Sequence, residues 1–139
     1  MESPQQGIVL VVDDSPLQRR QLSDMLQLLG YTRVVEAGSG QAALDRLASA
    51  QEECPALVCL DLTLPDISGF DVCEFIRSSP GLESLPVLMI SARTQTMDRA
   101  QAEEAGVSAY LIKPVTVESL RTQIDRVMAA RPRKEARAP

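Results

Sequence analysis

Five short runs of mostly apolar, often β-branched residues recur along the chain, and segments with helical spacing separate them. The runs occupy residues 8–12, 33–37, 56–60, 87–90 and 109–112. Runs of this length and composition are typical of strands that are buried on both faces of a parallel sheet. Their regular alternation with helical segments predicts an α/β domain built on an open parallel sheet.

Capping residues mark the starts of several predicted helices. Ser15 precedes the first helix, Ser68 and Asp71 have the spacing of a capping box, and Thr116 precedes the last helix. Asp66, just before the capping box, is interpreted as a loop residue. The apolar positions that we expect to face the core are Leu22, Met25, Leu26 and Leu29 in the first helix, Ala43, Leu44, Leu47 and Ala48 in the second, Val72, Cys73 and Ile76 in the third, and Leu120, Ile124, Val127 and Met128 in the last.

The fourth helix, predicted over residues 96–105, has little apolar surface. Its candidates for burial are Met97, Ala100 and Ala105. Because an alanine side chain buries little area, this helix gains little free energy from packing. We therefore expect it to shift or open more easily than its neighbours.

Polar residues stand where four of the runs end. Asp13 and Asp14 follow the first run, Asp61 the third, Ser91 the fourth and Lys113 the fifth. Each of these residues alone is more typical of a turn, a cap or a solvated charge. Because ligands bind outside the carboxyl ends of strands in open parallel sheets, their joint occurrence there favours a functional site. Three carboxylates, one hydroxyl and one ammonium should converge in it.

The overall composition limits the class of protein. A chain of 139 residues with 45% apolar residues suits one domain. No apolar stretch is long enough to cross a membrane, and the first residues lack the pattern of a signal peptide, so we expect a cytoplasmic protein with no membrane association. Residues 1–130 contain 10 basic and 18 acidic residues. This acidic body argues against direct binding of nucleic acid.

Cysteine and histidine usage narrows the chemistry. Cys54, Cys59 and Cys73 form an odd set without C-x-x-C spacing, so we expect free thiols that serve as small apolar residues. The chain contains no histidine. Any chemistry must therefore use carboxylates, hydroxyls and lysine rather than imidazole.

Four blocks of residues together resemble the receiver domain of two-component response regulators, similar to the chemotaxis regulators. The blocks are Asp13-Asp14-Ser15, residues 61–69 with the sequence DLTLPDISG, Ser91-Ala92 and Lys113-Pro114, in the order and at the separations of that family. The resemblance covers essentially residues 7–130. It implies a single doubly wound, flavodoxin-like (βα)5 domain with a five-stranded parallel sheet.

The resemblance also implies a chemical role for the polar strand ends. The aspartate that matches Asp61 accepts a phosphoryl group from a histidine of a sensor kinase or a histidine phosphotransferase. By the same resemblance Asp14, Asp61 and the backbone carbonyl of Thr63 ligate Mg²⁺, or alternatively Mn²⁺, and Asp13 acts through water. Clustered carboxylates repel one another and need a cation, and an all-oxygen shell suits these ions. Lys113 contacts the phosphoryl oxygens.

Family similarity further implies a conformational switch. The Ser91 hydroxyl donates to the phosphoryl group, the loop before the fourth helix moves, and Tyr110 turns inward. The altered surface comprises the fourth helix, fifth strand and fifth helix, and it meets a downstream effector or output domain. Thr63 and Arg93 match positions that tune the lifetime of the phosphoryl group, and Lys113-Pro114 matches a cis peptide bond.

The domain organisation is predicted as a leader over residues 1–6, a receiver domain over 7–130, and a tail or the start of a linker over 131–139. The chain is then a stand-alone regulator or the receiver part of a longer protein, and dimerisation on phosphorylation stays open. Two other functions fit the residues less well. A Mg²⁺-dependent hydrolase using Asp61 lacks its second aspartate, since Thr63 stands there. A degenerate receiver acting only as a scaffold is disfavoured by the complete acidic set.

Overall fold

A computed structural model describes residues 4–92 and 96–130. Its five parallel strands lie in the order β2-β1-β3-β4-β5, which confirms the predicted fold. The strands are β1 (Val9–Val12), β2 (Val34–Ala37), β3 (Leu57–Asp61), β4 (Val87–Ser91) and β5 (Ala109–Ile112). The α-helices are α1 (Pro16–Leu28), α2 (Gly40–Ala48), α3 (Gly69–Ser78), α4 (Thr96–Ala105) and α5 (Val117–Ala130), and a 3-10 helix covers Pro4–Gln6. None of the described helices combines the length and apolar character that a bilayer crossing requires.

Alternate residues of each strand face two separate apolar layers, as a parallel sheet covered on both sides requires. In β1, Leu10 and Val12 contribute to one layer, and Val9 and Val11 to the other. The first layer is completed by α2, α3 and the end of α4, and the second by α1 and α5. Every residue of β1, β3 and β4 is buried, so these strands fix the centre of the domain.

The helix starts predicted from the capping residues agree with the structure. The Ser15 hydroxyl accepts a hydrogen bond from the backbone N–H of Gln18 at 3.2 Å. At the start of α3, Ser68 Oγ accepts from the Phe70 N–H at 2.9 Å, and Asp71 accepts from the Ser68 N–H at 3.3 Å. Such bonds satisfy backbone donors that have no partner within the helix.

Two alanines that we expected in the core are exposed instead. Ala48 at the end of α2 and Ala100 in α4 both face solvent. Each lies five residues from a buried alanine of the same helix, Ala43 or Ala105, which is about 140° around an α-helix, so the two members of each pair cannot share a face. In α4 the second buried position is Ala102. The Met97 side chain lies outside the described part of the chain.

Asp66 connects the loop after β3 to the start of α2. Its two carboxylate oxygens accept hydrogen bonds from the backbone N–H groups of Gly40 at 2.9 Å and Gln41 at 2.8 Å. It also accepts from the Ile67 N–H at 2.9 Å. These bonds hold the pKa of the Asp66 carboxyl below its usual value. Asp66, which we interpreted from the sequence as a loop residue, therefore caps the start of α2.

We predict that Asp66→Asn lowers stability at neutral pH and that the difference from wild type narrows in acid. A carboxyl with a depressed folded-state pKa stabilises the fold above its unfolded-state pKa, near 3.8, and this contribution is lost as pH falls through the folded-state value. Urea unfolding midpoints of both proteins, compared from about pH 7 down to about pH 3, measure the effect. A gap that stays constant over this range contradicts it.

Candidate functional site

Strand pairing brings the predicted site residues to one edge of the sheet. Asp61, the last residue of β3, lies opposite Ile90 of β4, and Ser91 lies opposite Ile112 of β5. The backbone N–H of Lys113 donates to the Ser91 carbonyl oxygen at 2.8 Å. Asp13 follows β1, which pairs with β3. The ends of four strands are therefore joined by backbone hydrogen bonds or direct strand pairing.

Three carboxylates cluster at this edge. Asp13, Asp14 and Asp61 each offer an oxygen that lies within 4.8 Å of the other two. Asp13 and Asp61 are buried, with 6% and 7% of their surface exposed, whereas Asp14 faces solvent. Asp13 also accepts a hydrogen bond from the Ser15 N–H at 2.9 Å, which fixes the turn. The cluster thus has a buried floor and one open side.

The Lys113 ammonium faces this cluster. Its Nζ lies 3.0 Å from an Asp61 carboxylate oxygen and 3.4 Å from an Asp13 carboxylate oxygen. It also donates a hydrogen bond to the side-chain oxygen of Gln18. The Lys113–Pro114 peptide bond is cis. Asp61 and Lys113 line a cavity of about 370 Å³ between α1 and the loop that precedes α5.

Two opposing effects set the electrostatics of Asp61. Burial raises the pKa of its carboxyl, while hydrogen bonds from the Thr63 N–H, at 3.0 Å, and from Lys113 act to lower this pKa. The raising effect is the larger one in the pocket as it stands. Additional positive charge next to Asp61 would favour the ionised carboxylate, which is the nucleophilic form.

Gly69 allows α3 to start directly against the backbone of Asp61. Its N–H donates to the Leu62 carbonyl oxygen at 2.8 Å. A Cβ at this position would lie 2.5 Å from the Asp61 carbonyl oxygen and 2.9 Å from the Leu62 Cα. Both are backbone atoms, so neither can turn away as a flexible side chain could. Glycine is required here by contact, and its replacement would displace the end of β3.

Two residues in the first turn of α1 were missed by the sequence analysis. Gln18 contacts Lys113, as described above. The Arg19 guanidinium donates to the backbone carbonyl of Asp13 at 2.7 Å and to Glu36 of β2 at 2.9 Å. It therefore links the acidic turn to β2. Their closeness to Asp13 and Asp14 along the chain was the only signal in the sequence that they belong to the site. Their partners Lys113 and Glu36 are distant in sequence, so the contacts themselves could not be predicted.

The remaining predicted residues lie at varying distances from this cluster. Ser91 is buried at the end of β4. Thr63 is exposed beside Asp61, to which its N–H is bonded. Tyr110 lies half-buried in β5 and borders a different groove, with Arg77 and Arg126. Arg93 lies outside the residues that the structure describes.

Comparison with known proteins identifies the family. The sequence model of the response regulator receiver domain matches residues 9–125. Chemotaxis protein CheY of Pseudomonas aeruginosa is 33% identical over 119 residues, which cover 86% of this chain and 94% of that protein. Transcriptional regulatory protein KdpE of Mycobacterium tuberculosis is 40% identical over 127 residues, covering 88% of this chain and 53% of its own. The structure of chemotaxis response regulator CheY4 of Vibrio cholerae superimposes with a TM-score of 0.78 at 30% identity, covering 87% and 98% of the two chains.

The chain belongs to the response regulator receiver domain family, whose members act in two-component signalling as phosphoacceptors. Receiver domains bind Mg²⁺ at an acidic pocket. The three clustered carboxylates supply the all-oxygen donor set that this ion prefers, so the residues present fit it.

We predict that Gly69→Ala destabilises the domain by about 1–3 kcal/mol, because the added methyl group overlaps backbone atoms. Glu74→Ala, an exposed change on the same helix, is the matched control and should alter stability by less than about 0.5 kcal/mol. Urea unfolding of the three proteins measures both effects. Equal midpoints for Gly69→Ala and wild type would show that the contact with Asp61 is not restrictive.

Proposed function

We propose that Asp61 accepts a phosphoryl group from a histidine of a sensor kinase or histidine phosphotransferase, and that this event changes a protein-binding surface. The observation that carries the proposal is the placement of Lys113 Nζ, 3.0 Å from the Asp61 carboxylate and 3.4 Å from that of Asp13, in a cluster that Asp14 completes. A nucleophile and a cation for the transferred group thus share one pocket. Phosphoryl transfer depends mainly on such positioning and on charge stabilisation.

The transfer itself follows from the chemistry of the groups. A carboxylate oxygen of Asp61 forms a bond to phosphorus as the bond from phosphorus to the donor imidazole nitrogen breaks, and that bonding pair returns to the nitrogen. Lys113 places its ammonium beside the phosphoryl oxygens, where negative charge is concentrated. The buried Ser91 hydroxyl donates to another phosphoryl oxygen. No separate base is needed because the carboxylate attacks in its ionised form.

The acidic pocket would hold Mg²⁺, with Mn²⁺ as the alternative. Asp14, Asp61 and the backbone carbonyl of Thr63 are the proposed direct ligands, and Asp13 is proposed to act through water. When bound, the ion offsets the repulsion between the carboxylates and an incoming phosphoryl group. Exposure of Asp14 leaves one side of the pocket open for exchange with solvent.

The response to phosphorylation is proposed to run from Ser91 to α4. A dianionic group would draw the Ser91 hydroxyl inward, and Tyr110 would then reorient towards the core. The surface formed by α4, β5 and α5 would present the change to a downstream effector or output domain. Thr63 and Arg93 are proposed to tune the phosphoryl lifetime. Dimerisation after phosphorylation would use the same altered surface.

The proposed setting is cytoplasmic two-component signalling, without direct binding of nucleic acid or membrane. The chain matches nearly the whole of the chemotaxis relative but about half of the transcriptional one, so it fits a stand-alone regulator and the receiver part of a longer protein. Residues 7–130 are the proposed receiver domain. A hydrolase remains the runner-up on the basis of Asp61 alone, and rapid steady turnover of varied phosphate esters would favour it.

We predict that Asp61→Asn incorporates no phosphoryl group from acetyl phosphate in the presence of Mg²⁺, because the amide is not a nucleophile at phosphorus. Asp45→Asn, an exposed change in α2, is the matched control and should keep the wild-type rate within about twofold. Intact-protein mass spectrometry over a time course measures the incorporation. Labelling of Asp61→Asn at the wild-type rate would refute the assignment. A metal-dependent change in the wild-type protein on addition of beryllofluoride would exclude the alternative of a scaffold that acts without phosphorylation.

We predict that Asp14→Asn weakens Mg²⁺ binding at least about tenfold, because a carboxylate ligand is replaced by a neutral amide. Asp24→Asn provides the matched control, since Asp24 is exposed on α1 and pairs with Arg20. Calorimetric titration with Mg²⁺ compares the dissociation constants of the three proteins. Equal affinities for Asp14→Asn and wild type would remove Asp14 from the ligand set.

A further inference from the structure

We infer that Gln18 is a positioning residue that holds the Lys113 ammonium beside the Asp61 carboxylate. This inference rests on the proposed phosphoacceptor function of Asp61 and adds a residue to it. The Lys113 ammonium donates to the side-chain oxygen of Gln18 and lies 3.0 Å from an Asp61 oxygen. Gln18 is therefore in contact with the cation that the reaction uses, although it is 95 residues away in sequence.

The hydrogen-bonding capacity of lysine shows what Gln18 adds. An ammonium has three N–H donors. Around Lys113 Nζ, the described acceptors are one oxygen of Asp61, one of Asp13 at 3.4 Å, and the Gln18 amide oxygen. The two carboxylates lie on the side of the nucleophile, and Gln18 approaches from α1. Three acceptors arranged in this way fix the position of Nζ, which two would not.

Helix α1 supplies a rigid base for this contact. The Gln18 backbone N–H is bonded to the Ser15 hydroxyl, and Pro16 occupies the first helical position, where its fixed φ suits the helix. The side chain of Gln18 therefore starts from an anchored backbone. Lysine has a flexible four-carbon stem, and ordering such a stem costs conformational entropy. Because Gln18 is anchored, its contact with Lys113 orders part of the lysine side chain before the phosphoryl group arrives.

A neutral acceptor is suited to this position. Asp13, Asp14 and Asp61 already concentrate negative charge, and a fourth carboxylate would oppose the approach of a phosphoryl group. An apolar side chain would leave one Lys113 donor to solvent. The amide oxygen of Gln18 accepts from the ammonium and adds no net charge to the pocket.

A double-mutant cycle tests whether Gln18 acts through Lys113. The four proteins are wild type, Gln18→Met, Lys113→Met and the double variant, with Gln27→Met as the matched control, since Gln27 is exposed in the last turn of α1. The rate of phosphoryl incorporation from acetyl phosphate with Mg²⁺ is measured for each. We expect Gln18→Met to lower the wild-type rate by about 3- to 10-fold, the range that corresponds to loss of one hydrogen bond of typical net strength. In the Lys113→Met background the same change should have no further effect.

Nuclear magnetic resonance of the Lys113 side chain gives a second readout that does not depend on phosphorylation. Its Cε–Hε signal is assigned by its loss in Lys113→Met. Gln18→Met should shift this signal and narrow it, because the ammonium becomes more mobile, while Gln27→Met should leave it unchanged. A structural effect of Gln18 unrelated to Lys113 would not produce this pair of results.

Each outcome decides a different point. If wild type is not labelled, the proposed function of Asp61 fails. If wild type is labelled and Gln18→Met matches it within experimental error, with the Lys113 signal unchanged, the role of Gln18 fails and that of Asp61 stands. An equal loss from Gln18→Met in both backgrounds also overturns the inference, because Gln18 would then act without Lys113.

Discussion

Parallel strand pairing is the constraint on which the site depends. Asp61 and Lys113 are 52 residues apart in sequence, yet their charged atoms lie 3.0 Å apart because β3, β4 and β5 end at one edge of the sheet. A shift of one residue in any of these registers would turn the polar ends towards the opposite face of the sheet. The buried apolar residues of the strands oppose such a shift, so the same packing that stabilises the core also sets the geometry of the charges.

The sequence predicted the elements whose signals are local. Strands buried on both faces appear as continuous apolar runs, and the hydrogen bonds of Ser15 and Ser68 join residues only two or three positions apart. Contacts between distant elements were not predictable in this way. Asp66 caps α2 across 26 residues, and Arg19 links the acidic turn to Glu36 of β2. Nothing in the local spacing of those residues indicates their partners.

Hydrogen bonds from Arg77 hold the turn that follows α4. Within the described part of the helix, its buried side chains are the small residues Ala102 and Ala105, so its packing contributes little stability. In that turn the Arg77 guanidinium of α3 donates to the Gly106 carbonyl oxygen at 2.8 Å, and it also donates to the Leu85 carbonyl oxygen at 2.7 Å. A displacement of α4 that preserves these bonds would pivot near Gly106. The larger movement would then occur at the end closer to Ser91, as the proposed switch requires.

Charge balance in the pocket also separates a phosphoacceptor from a hydrolytic enzyme. When ionised, the three carboxylates exceed the Lys113 charge by two, an excess that one divalent cation would neutralise. The site can then receive a phosphoryl dianion, but repeated hydrolysis also needs a group to activate water. The chain has no histidine, and Thr63 occupies the position of the second aspartate of the hydrolases considered above. Once Asp61 is phosphorylated, the proposed roles of Asp13 and Asp14 at the cation would leave neither carboxylate free to activate water.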